Sequence, residues 1–330
     1  MTEPTLAERF LHLDAGALLA AYPNEPRLAL ELAGRTHVLP AQLLREPEGD
    51  GRLSAQSLAF TVSDEAFRPS SALDGYVKPV RELAARDARL FDGTVVRLAS
   101  FSPQGGILTP ASYFDALGTN LAMDHRPSGT RETLRELARR GGRLGDFAES
   151  PLVNHLGLVC MFETSDGMLV AQRRSSLVAN RPHTVSASVS GALDWSDLPQ
   201  KSESGAVLAL SDLVRGAFRE SLEELGAEPE ALRYLGLVRE YLRGGKPELY
   251  FFARTSLSAT RLATAQRDAA SRGESGALEF LPFHGDSVSR SARSRSAFEE
   301  RVEQCLEAVK GDANLTFVAG ILLAARHVLG

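Results

Sequence analysis

Three glutamates in the stretch "RESLEELGA", residues 219–227, have a spacing that could support metal chemistry. Glu220, Glu223 and Glu224 lie three and four positions apart, so on an α-helix their carboxylates would share one face. Like charges at these spacings cost about 0.2–0.5 kcal/mol per pair unless something positive binds there. A hard divalent cation such as Mg²⁺ prefers oxygen ligands of this kind. A solvated acidic helix face is the alternative interpretation.

A single predicted helix carries these glutamates. Ser211 and Asp212 are typical of a helix start, and Gly226 is a typical C-terminal cap. The predicted buried face is formed by apolar residues at helical spacing: Leu210, Leu213, Val214, Ala217, Phe218, Leu222 and Leu225. The glutamates fall on the opposite, exposed face in the last two turns, where the helix dipole disfavours extra negative charge. A bound cation would relieve that cost.

The segments around this helix are predicted to be strands. In residues 154–176, "NHLGLVCMFETSDGMLVAQRRSS", two apolar runs are joined by Asp-Gly, which predicts a β-hairpin. An extended segment then closes in a glycine turn at Gly191, and two further strands follow the helix. Two helices, at 293–309 and 312–329, are predicted to close the chain.

The first part of the chain is predicted to be a separate α+β region. Residues 27–40 suggest a hairpin, 76–92 have helical spacing, and a β-branched run follows. A helix predicted to end at Gly141-Gly142 is followed by a glycine-containing segment up to Pro151, which favours a domain boundary there. The predicted domains are therefore residues 1–150 and 151–330.

Composition limits the classes of partner and compartment. The net charge of −5 provides no global basic field for nucleic acid or an acidic membrane surface. Cys160 and Cys305 are the two cysteines, both in apolar stretches, so a disulfide scaffold is not expected. No run of 18 apolar residues and no signal-like start is present. These features predict a soluble, cytoplasmic protein that binds neither nucleic acid nor membrane.

With these elements in order, "RESLEELGA" resembles the core of the Nudix box, which reads Arg-Glu-apolar-any-Glu-Glu-any-Gly-apolar. Arg219, the three glutamates and Gly226 match, while Ser221 occupies the apolar position after Arg-Glu. The resemblance implies the Nudix fold, an α/β/α sandwich with a mixed sheet, here with an α+β N-terminal extension. It also implies Mg²⁺, or Mn²⁺, held by Glu220, Glu223 and Glu224, with Glu223 and Glu224 important for catalysis.

The sequence departs from the full Nudix motif at two positions before the core. The motif's additional glutamate, eight residues before the arginine, is replaced by Ser211, and Asp212 is a partial substitute. The motif's glycine would be Gly205 by spacing, but Gly191 in "SVSGAL" is the better match to the turn before the helix. Choosing Gly191 implies a loop insertion of about fourteen residues.

A narrower resemblance covers roughly residues 90–255. The segments "LFDGTVVRLASFS", "LTPASYFDALGTN" and "PLVNHLGLVCMFETSDGMLVAQRRSSLVA" are similar to the animal Nudix pyrophosphatases that hydrolyse UDP-glucose and UDP-galactose. In those relatives the box is also irregular and preceded by an insertion. The resemblance implies hydrolysis of a UDP-sugar to UMP and a sugar 1-phosphate.

The same comparison suggests substrate-binding residues. Arg173 and Arg174 end a hairpin strand and face opposite sides, so one of them could clamp a diphosphate. Tyr113 and Asn120 could offer a stacking ring and an amide to a uracil, or could be a core aromatic and a turn residue.

Three other charged residues are candidates for catalysis. Arg219 is expected to hold the glutamates rather than bind substrate. Glu248 matches an acidic position of the UDP-sugar enzymes and is a candidate base or metal ligand, with Glu240 as its rival and a strand-edge charge as the alternative.

The favoured function is Mg²⁺-dependent pyrophosphate hydrolysis of a nucleoside diphosphate linked to another moiety. An ADP-ribose or dinucleotide pyrophosphatase is the alternative within the same class. A non-catalytic Nudix-like module that senses a nucleotide is the alternative outside it, because Ser211 replaces a motif glutamate.

Overall fold

The structure is a computed structural model of the 330-residue chain. It describes residue 11 and residues 13–88, 90–140, 142–174, 184–199, 203–269, 276–285, 288–289 and 291–330.

The described residues form helices in both halves of the chain, and the two longest come last in the chain. The helices are α1 (Ala15–Ala21), α2 (Asp74–Arg86), α3 (Tyr113–Gly118), α4 (Leu134–Ala138), α5 (Arg215–Leu225), α6 (Ala259–Ala269), α7 (Ala292–Ala308) and α8 (Leu315–Leu329). Within the described residues, none of these helices combines the length and apolar character needed to cross a bilayer.

The strands of the described residues occur singly and in consecutive groups between these helices. They are β1 (Leu28–Leu32), β2 (Arg35–Leu39), β3 (Ala41–Arg45), β4 (Ala59–Val62), β5 (Thr94–Ser102), β6 (Gly105–Ser112), β7 (Arg139–Arg140), β8 (Arg143–Leu144), β9 (Gly157–Glu163), β10 (Met168–Arg173), β11 (Val185–Ala187), β12 (Val189–Ala192), β13 (Val207–Ala209), β14 (Glu230–Glu240), β15 (Lys246–Arg254) and β16 (Ala277–Pro282).

The largest sheet is mixed and lies between two helical layers. Its order is β11-β10-β9-β15-β14-β3, with β12 paired to β9 and β16 paired to β10. Strands β9 and β15 are parallel, and the other pairs are antiparallel. One core includes Val159 and Met161 of β9 with Phe317 and Ile321 of α8, whereas Leu158 and its alternate neighbours belong to the other core. Because successive side chains of β9 point to opposite faces of the sheet, the strand contributes to two separate apolar cores.

Several predicted elements are confirmed. The Asp-Gly turn joins β9 and β10 as an antiparallel hairpin, and β1 pairs with β2. Both cysteines are buried and free. The chain is therefore a mixed α/β protein, as the sequence predicts.

Strand pairing crosses the predicted domain boundary twice. Strand β3, before residue 150, pairs with β14 of the main sheet. Strand β13, after it, pairs with β4 in a second sheet of order β13-β4-β6-β5. Hydrogen bonding thus links the two predicted domains, and the division at residue 150 stays a prediction.

The predicted start of the acidic helix is wrong. Residues Leu210–Asp212 form a 3₁₀ turn, and α5 begins at Arg215. Asp212 accepts a hydrogen bond from the Ala209 amide at 2.8 Å, so it stabilises the turn before the helix. The C-terminal cap is as predicted, because Gly226 has a φ of 65° and its N–H bonds the Leu222 carbonyl.

Candidate active site

The three glutamates do not share one exposed face of α5. The side chain of Glu220 is 14% exposed, whereas that of Glu223 is 51% exposed. Glu224 lies between the helix and the sheet, and Leu222, predicted to be buried, is 45% exposed. The helix is therefore rotated relative to the prediction, and Glu220 and Glu224 are turned toward the protein.

Strands β10 and β12 fix the position of Glu224. Gln172 donates from Nε2 to the Glu224 carboxylate at 2.9 Å, and the Ser190 backbone N–H donates to the same oxygen at 3.3 Å. The Gln172 amide also donates to the Ser188 carbonyl at 2.6 Å, which holds it in place. Both of these donors are neutral, and the positive charge that acts on Glu224 comes from Arg174.

Gly191 lies directly against Glu220. A Cβ atom at position 191 would come within 2.1 Å of the Glu220 Oε1 atom, so no other residue fits without moving the carboxylate. Gly205, the alternative motif glycine, has a φ of +90° and no atom near its Cβ direction. The choice of Gly191 as the glycine next to the acidic helix therefore agrees with the structure.

Arg219 organises the acidic helix. Its guanidinium donates to both oxygens of Asp197 at 2.9 Å, and it contacts Glu220 at 3.0 Å and Glu223 at 3.2 Å. A fork of this kind fixes carboxylates in both distance and orientation. The expected role of Arg219, to hold the glutamates, agrees with these contacts.

The two inward carboxyls have raised pKa values. Burial raises the pKa of Glu220 to about 7, and Arg219 opposes this shift while the charge of Glu223 adds to it. Burial raises the pKa of Glu224 to about 8, and the charge of Glu220 adds to the shift, whereas Arg174 lowers the value. Two buried carboxyls that repel each other would each gain from a nearby cation.

The carboxylates of α5 are the candidate ligands for a metal ion. Across the described residues, no three His, Cys, Asp or Glu side chains are grouped closely enough to hold a metal by themselves. Mg²⁺ requires fewer protein ligands, because one or two carboxylates suffice when water and phosphates complete its shell. Glu220 and Glu224 fit that requirement, whereas Glu223 is turned toward Arg219 and solvent.

The two arginines at the end of β10 have different surroundings. Arg173 donates to Glu279 at 2.6 Å and contacts Asp312 at 3.3 Å, so its charge is satisfied away from the glutamates. Arg174 lines a cavity together with Ser190 and Gly191. Of the pair, Arg174 is therefore the residue placed to meet a ligand.

That cavity, which we call the polar cavity, has a volume of about 170 Å³. Its walls include Arg174, Ser190, Gly191, His155 and a buried ionic cluster. A second cavity, which we call the aromatic cavity, has a volume of about 580 Å³. It is lined by Phe91, Tyr113, Trp195, Asp194, Glu220, Gly93, Thr94, Val95, Ala192 and Ser196. The two cavities share Tyr113 and Ala192 as wall residues.

The ionic cluster contains both candidate bases, Glu248 and Glu240. The Glu248 carboxylate accepts from Lys246 at 2.6 Å and pairs with Arg243 at 2.6 Å, while Glu240 pairs with the same arginine. A Cβ atom added to Gly157 would lie 1.7 Å from a carboxylate oxygen of Glu248, whereas a Cβ atom added to Gly191 would lie 2.1 Å from one of Glu220.

This arrangement separates Glu248 from the helix glutamates. Gly157 of β9 pairs with Ala192 of β12, so these two positions face the same side of the sheet. Gly191 precedes Ala192 and therefore faces the other side, because successive residues of a strand alternate between the two faces. Glu248 and Glu220 therefore approach from opposite faces of the sheet, and the predicted metal-ligand role of Glu248 is not supported.

Asn120 and Tyr113 differ in their access to the cavities. Asn120 is fully buried, and its amide bonds the Arg243 carbonyl at 2.8 Å and the Asn154 N–H at 2.6 Å. These bonds fix the loop at residue 154 and favour the alternative interpretation of Asn120 as a turn residue, while its contact with a base stays a prediction. Tyr113 is half-buried and lines both cavities, which keeps it as a candidate.

Sequence reasoning missed several residues of this site. Asp197 and Gln172 hold Arg219 and Glu224, and Trp195 lines the aromatic cavity. The "DWSD" segment, just after Gly191, contains two aspartates and a tryptophan, and this pattern could have indicated a site there. The position of His155 beside Lys246 depends on the parallel pairing of β9 and β15, which no local pattern encodes.

No family model and no curated protein match the chain. Among solved structures, DR0079 from Deinococcus radiodurans is 16% identical with a TM-score of 0.31 and covers 52% of this chain and 81% of its own. Tm1382, a candidate Nudix hydrolase, is 13% identical with a TM-score of 0.30 and covers 53% of this chain and 70% of its own.

A third solved structure is the Nudix domain of Shewanella oneidensis NrtR, which was crystallised with ADP-ribose. It is 14% identical with a TM-score of 0.25 and covers 46% of this chain and 88% of its own. Each of these three structures overlaps about half of the chain.

Proposed function

We propose that this chain is a Mg²⁺-dependent pyrophosphohydrolase that acts on a nucleoside diphosphate linked to another moiety. The observation that carries the proposal is the pair of inward carboxyls, Glu220 and Glu224, beneath Gly191. Both have pKa values raised by burial, and Arg174 lies at the adjoining cavity. A carboxylate pair with an arginine beside it suits a bound cation and a phosphate group.

Each residue has a distinct role in the proposal. Glu220 and Glu224 would hold the cation, and Glu223 belongs to the same acidic group but mainly holds Arg219. When bound, Mg²⁺ supplies positive charge against phosphate oxygens and helps to activate water as a nucleophile. Arg174 would orient the diphosphate, and the missing Cβ of Gly191 leaves room beside Glu220.

The reaction is the addition of water across the phosphoric anhydride. One phosphorus–oxygen bond forms to the water oxygen while the bridging phosphorus–oxygen bond breaks. For the favoured substrate, a UDP-sugar, the products are UMP and a sugar 1-phosphate. The sequence resemblance over residues 90–255 supports this substrate, and ADP-ribose or a dinucleotide is the alternative within the same reaction class.

A nucleotide-sensing module without turnover is the second candidate function. Two observations favour it: the described residues contain no group of three metal-ligand side chains, and Ser211 occupies the position of a motif glutamate. Such a module would bind the same ligands through Arg174 and the two cavities.

A substrate panel separates these functions. The full chain is incubated with UDP-glucose, UDP-galactose, ADP-ribose and a dinucleotide, each with Mg²⁺ and with EDTA, and products are separated by ion-exchange chromatography. The proposal predicts a Mg²⁺-dependent nucleoside monophosphate from at least one compound, with the UDP-sugars preferred. Binding without any product would support the sensing module instead.

A further inference from the structure

The two cavities beside the acidic helix differ sharply in chemical character. The aromatic cavity contains the rings of Phe91, Trp195 and Tyr113, with Glu220 in its wall. Phe91 is 82% exposed, an unusually open position for a large apolar side chain. The volume of the aromatic cavity, about 580 Å³, lies in the range typical of small-molecule sites. Exposed rings around a cavity of this size suit a planar aromatic group.

The polar cavity combines a group of charged side chains with apolar wall residues such as Leu121, Leu158 and Leu242. Lys246, Arg243, Glu248 and Glu240 form the ionic cluster in its wall, and Arg174 is a further charged wall residue. His155 is 4% exposed, and its Nδ1 atom has no hydrogen-bond partner among the described residues. A buried polar atom without a partner is costly, so a ligand that bonds it would be favoured.

Each carboxyl of the acidic pair is linked to one of these cavities. Glu220 is in the wall of the aromatic cavity, and Ser190, whose N–H holds Glu224, is in the wall of the polar one. Ala192 is the last residue of β12 and pairs with Gly157, the first residue of β9. A molecule that occupies both cavities would therefore pass around this end of the sheet, along the shared residues Tyr113 and Ala192, and place its middle beside Gly191. In the proposed substrate, the diphosphate is that middle part.

We propose that the cleft binds its substrate in one orientation, with the nucleobase in the aromatic cavity and a hydroxylated, non-aromatic group in the polar cavity beside His155. This inference rests on the proposed function and narrows its substrate class. Nucleotide sugars and ADP-ribose satisfy it, because the group beyond the diphosphate is a sugar. A dinucleotide satisfies it less well, because its second base would have to displace the water around the charged side chains of the ionic cluster.

Calorimetric titration in EDTA tests the orientation without turnover. The ligands form a uridine series of UMP, UDP, UDP-glucose and diuridine diphosphate, and a matched adenosine series that ends in ADP-glucose and diadenosine diphosphate. The wild-type chain is expected to bind the sugar nucleotide at least about tenfold more tightly than the dinucleotide of the same base. Equal or tighter binding of the dinucleotide would overturn the inference.

Variants of the chain then test which cavity binds the nucleobase and which binds the group beyond the diphosphate. Phe91→Ala is expected to weaken all members of the preferred series by a similar factor of about tenfold, because only the shared base loses a ring. Val207→Ala, at another exposed apolar residue, is the matched control and should change nothing. A Phe91→Ala effect confined to the sugar nucleotide would contradict the assignment.

The role of the His155 Nδ1 atom is tested by two substitutions that replace the imidazole with an amide side chain. His155→Asn keeps a polar atom near the Nδ1 position, whereas His155→Gln places it near Nε2. We expect His155→Gln to remove the advantage of UDP-glucose over UDP while leaving UMP binding unchanged, and His155→Asn to retain part of that advantage. Equal losses for UMP and UDP-glucose would contradict the inference, as would no loss in either variant.

The wild-type comparison of ligands requires no variant, so a misfolded variant does not leave the inference untested. Failure of the proposed function gives a separate result, because a chain that binds none of the nucleotides would refute both. A chain that binds nucleotides but prefers dinucleotides, or ignores Phe91 and His155, would refute the orientation alone.

Discussion

Gly191 and Glu220 are in direct contact across the gap between strand β12 and helix α5. A Cβ at position 191 would lie 2.1 Å from Oε1 and 2.3 Å from the carboxyl carbon of Glu220. The glycine is therefore required by the position of the carboxylate and not by a positive φ. This contact joins the loop before the helix to the acidic group on it.

Gly191→Ala should displace Glu220 and reduce hydrolysis more than it reduces stability. Overpacking of this kind typically costs about 1–3 kcal/mol of unfolding free energy, and the displaced carboxylate no longer meets the cation. Gly75→Ala is the control, because no atom lies within 4 Å of its Cβ direction. Urea unfolding and steady-state kinetics measure both effects, and a fully active Gly191→Ala chain would contradict the assigned contact.

Arg219→Lys should destabilise the chain by about 1–3 kcal/mol, because Asp197 is 6% exposed and would lose its two-point partner. Lysine offers one compact charge in place of the planar fork. Arg215→Lys, at an exposed position one turn earlier in the same helix, is the matched control. Equal unfolding free energies for the two variants would show that the fork contributes nothing to stability.

The metal-free chain should lose stability as pH rises from about 4.5 to about 8. In this range the folded chain keeps protons on Glu220 and Glu224, whose pKa values are about 7 and about 8, while unfolded glutamates have released them. The folded chain therefore binds more protons than the unfolded chain in this range, so the free energy of unfolding falls as the pH rises. Glu224→Gln should flatten the fall, and thermal unfolding in EDTA across this range measures it. Identical pH profiles for the variant and the wild type would contradict the raised pKa of Glu224.

Much of the α/β pattern could be predicted from sequence because it is local. The Asp-Gly turn specifies the β9–β10 hairpin, and Gly226 caps α5 at its predicted end. The arginine and glutamates of "RESLEELGA" also identify the acidic group, since their spacing alone places them on one helix.

The rotation of that helix could not be predicted in the same way. Leu222 has the spacing of a core residue but is exposed, while Ser221 is fully buried and bonds the Ala217 carbonyl. The hydroxyl is satisfied within the helix, so a polar residue can face the sheet and turn Glu224 inward. Asn120 illustrates the same limit, because its burial depends on a loop 34 residues away in sequence.

Added Mg²⁺ should stabilise the chain more at about pH 8 than at about pH 6. The carboxyls must lose their protons before they bind a cation, and their raised pKa values place that loss near neutral pH. Thermal unfolding with and without Mg²⁺ at both pH values measures the difference. A chain with Glu220, Glu223 and Glu224 all replaced by Gln should show no Mg²⁺ response, and an unchanged response would place the cation elsewhere.

The most direct test of the acidic pair is ³¹P NMR of UDP-glucose incubated with Mg²⁺ and single Glu→Gln variants of the full chain. Glu220→Gln and Glu224→Gln should each slow the release of UMP by more than about 100-fold, and Glu223→Gln, whose side chain is 51% exposed, by about tenfold. Glu228→Gln, at an exposed position just beyond the helix, should leave the rate unchanged. Wild-type rates in Glu220→Gln and Glu224→Gln would contradict the proposal that these two carboxyls form the catalytic site.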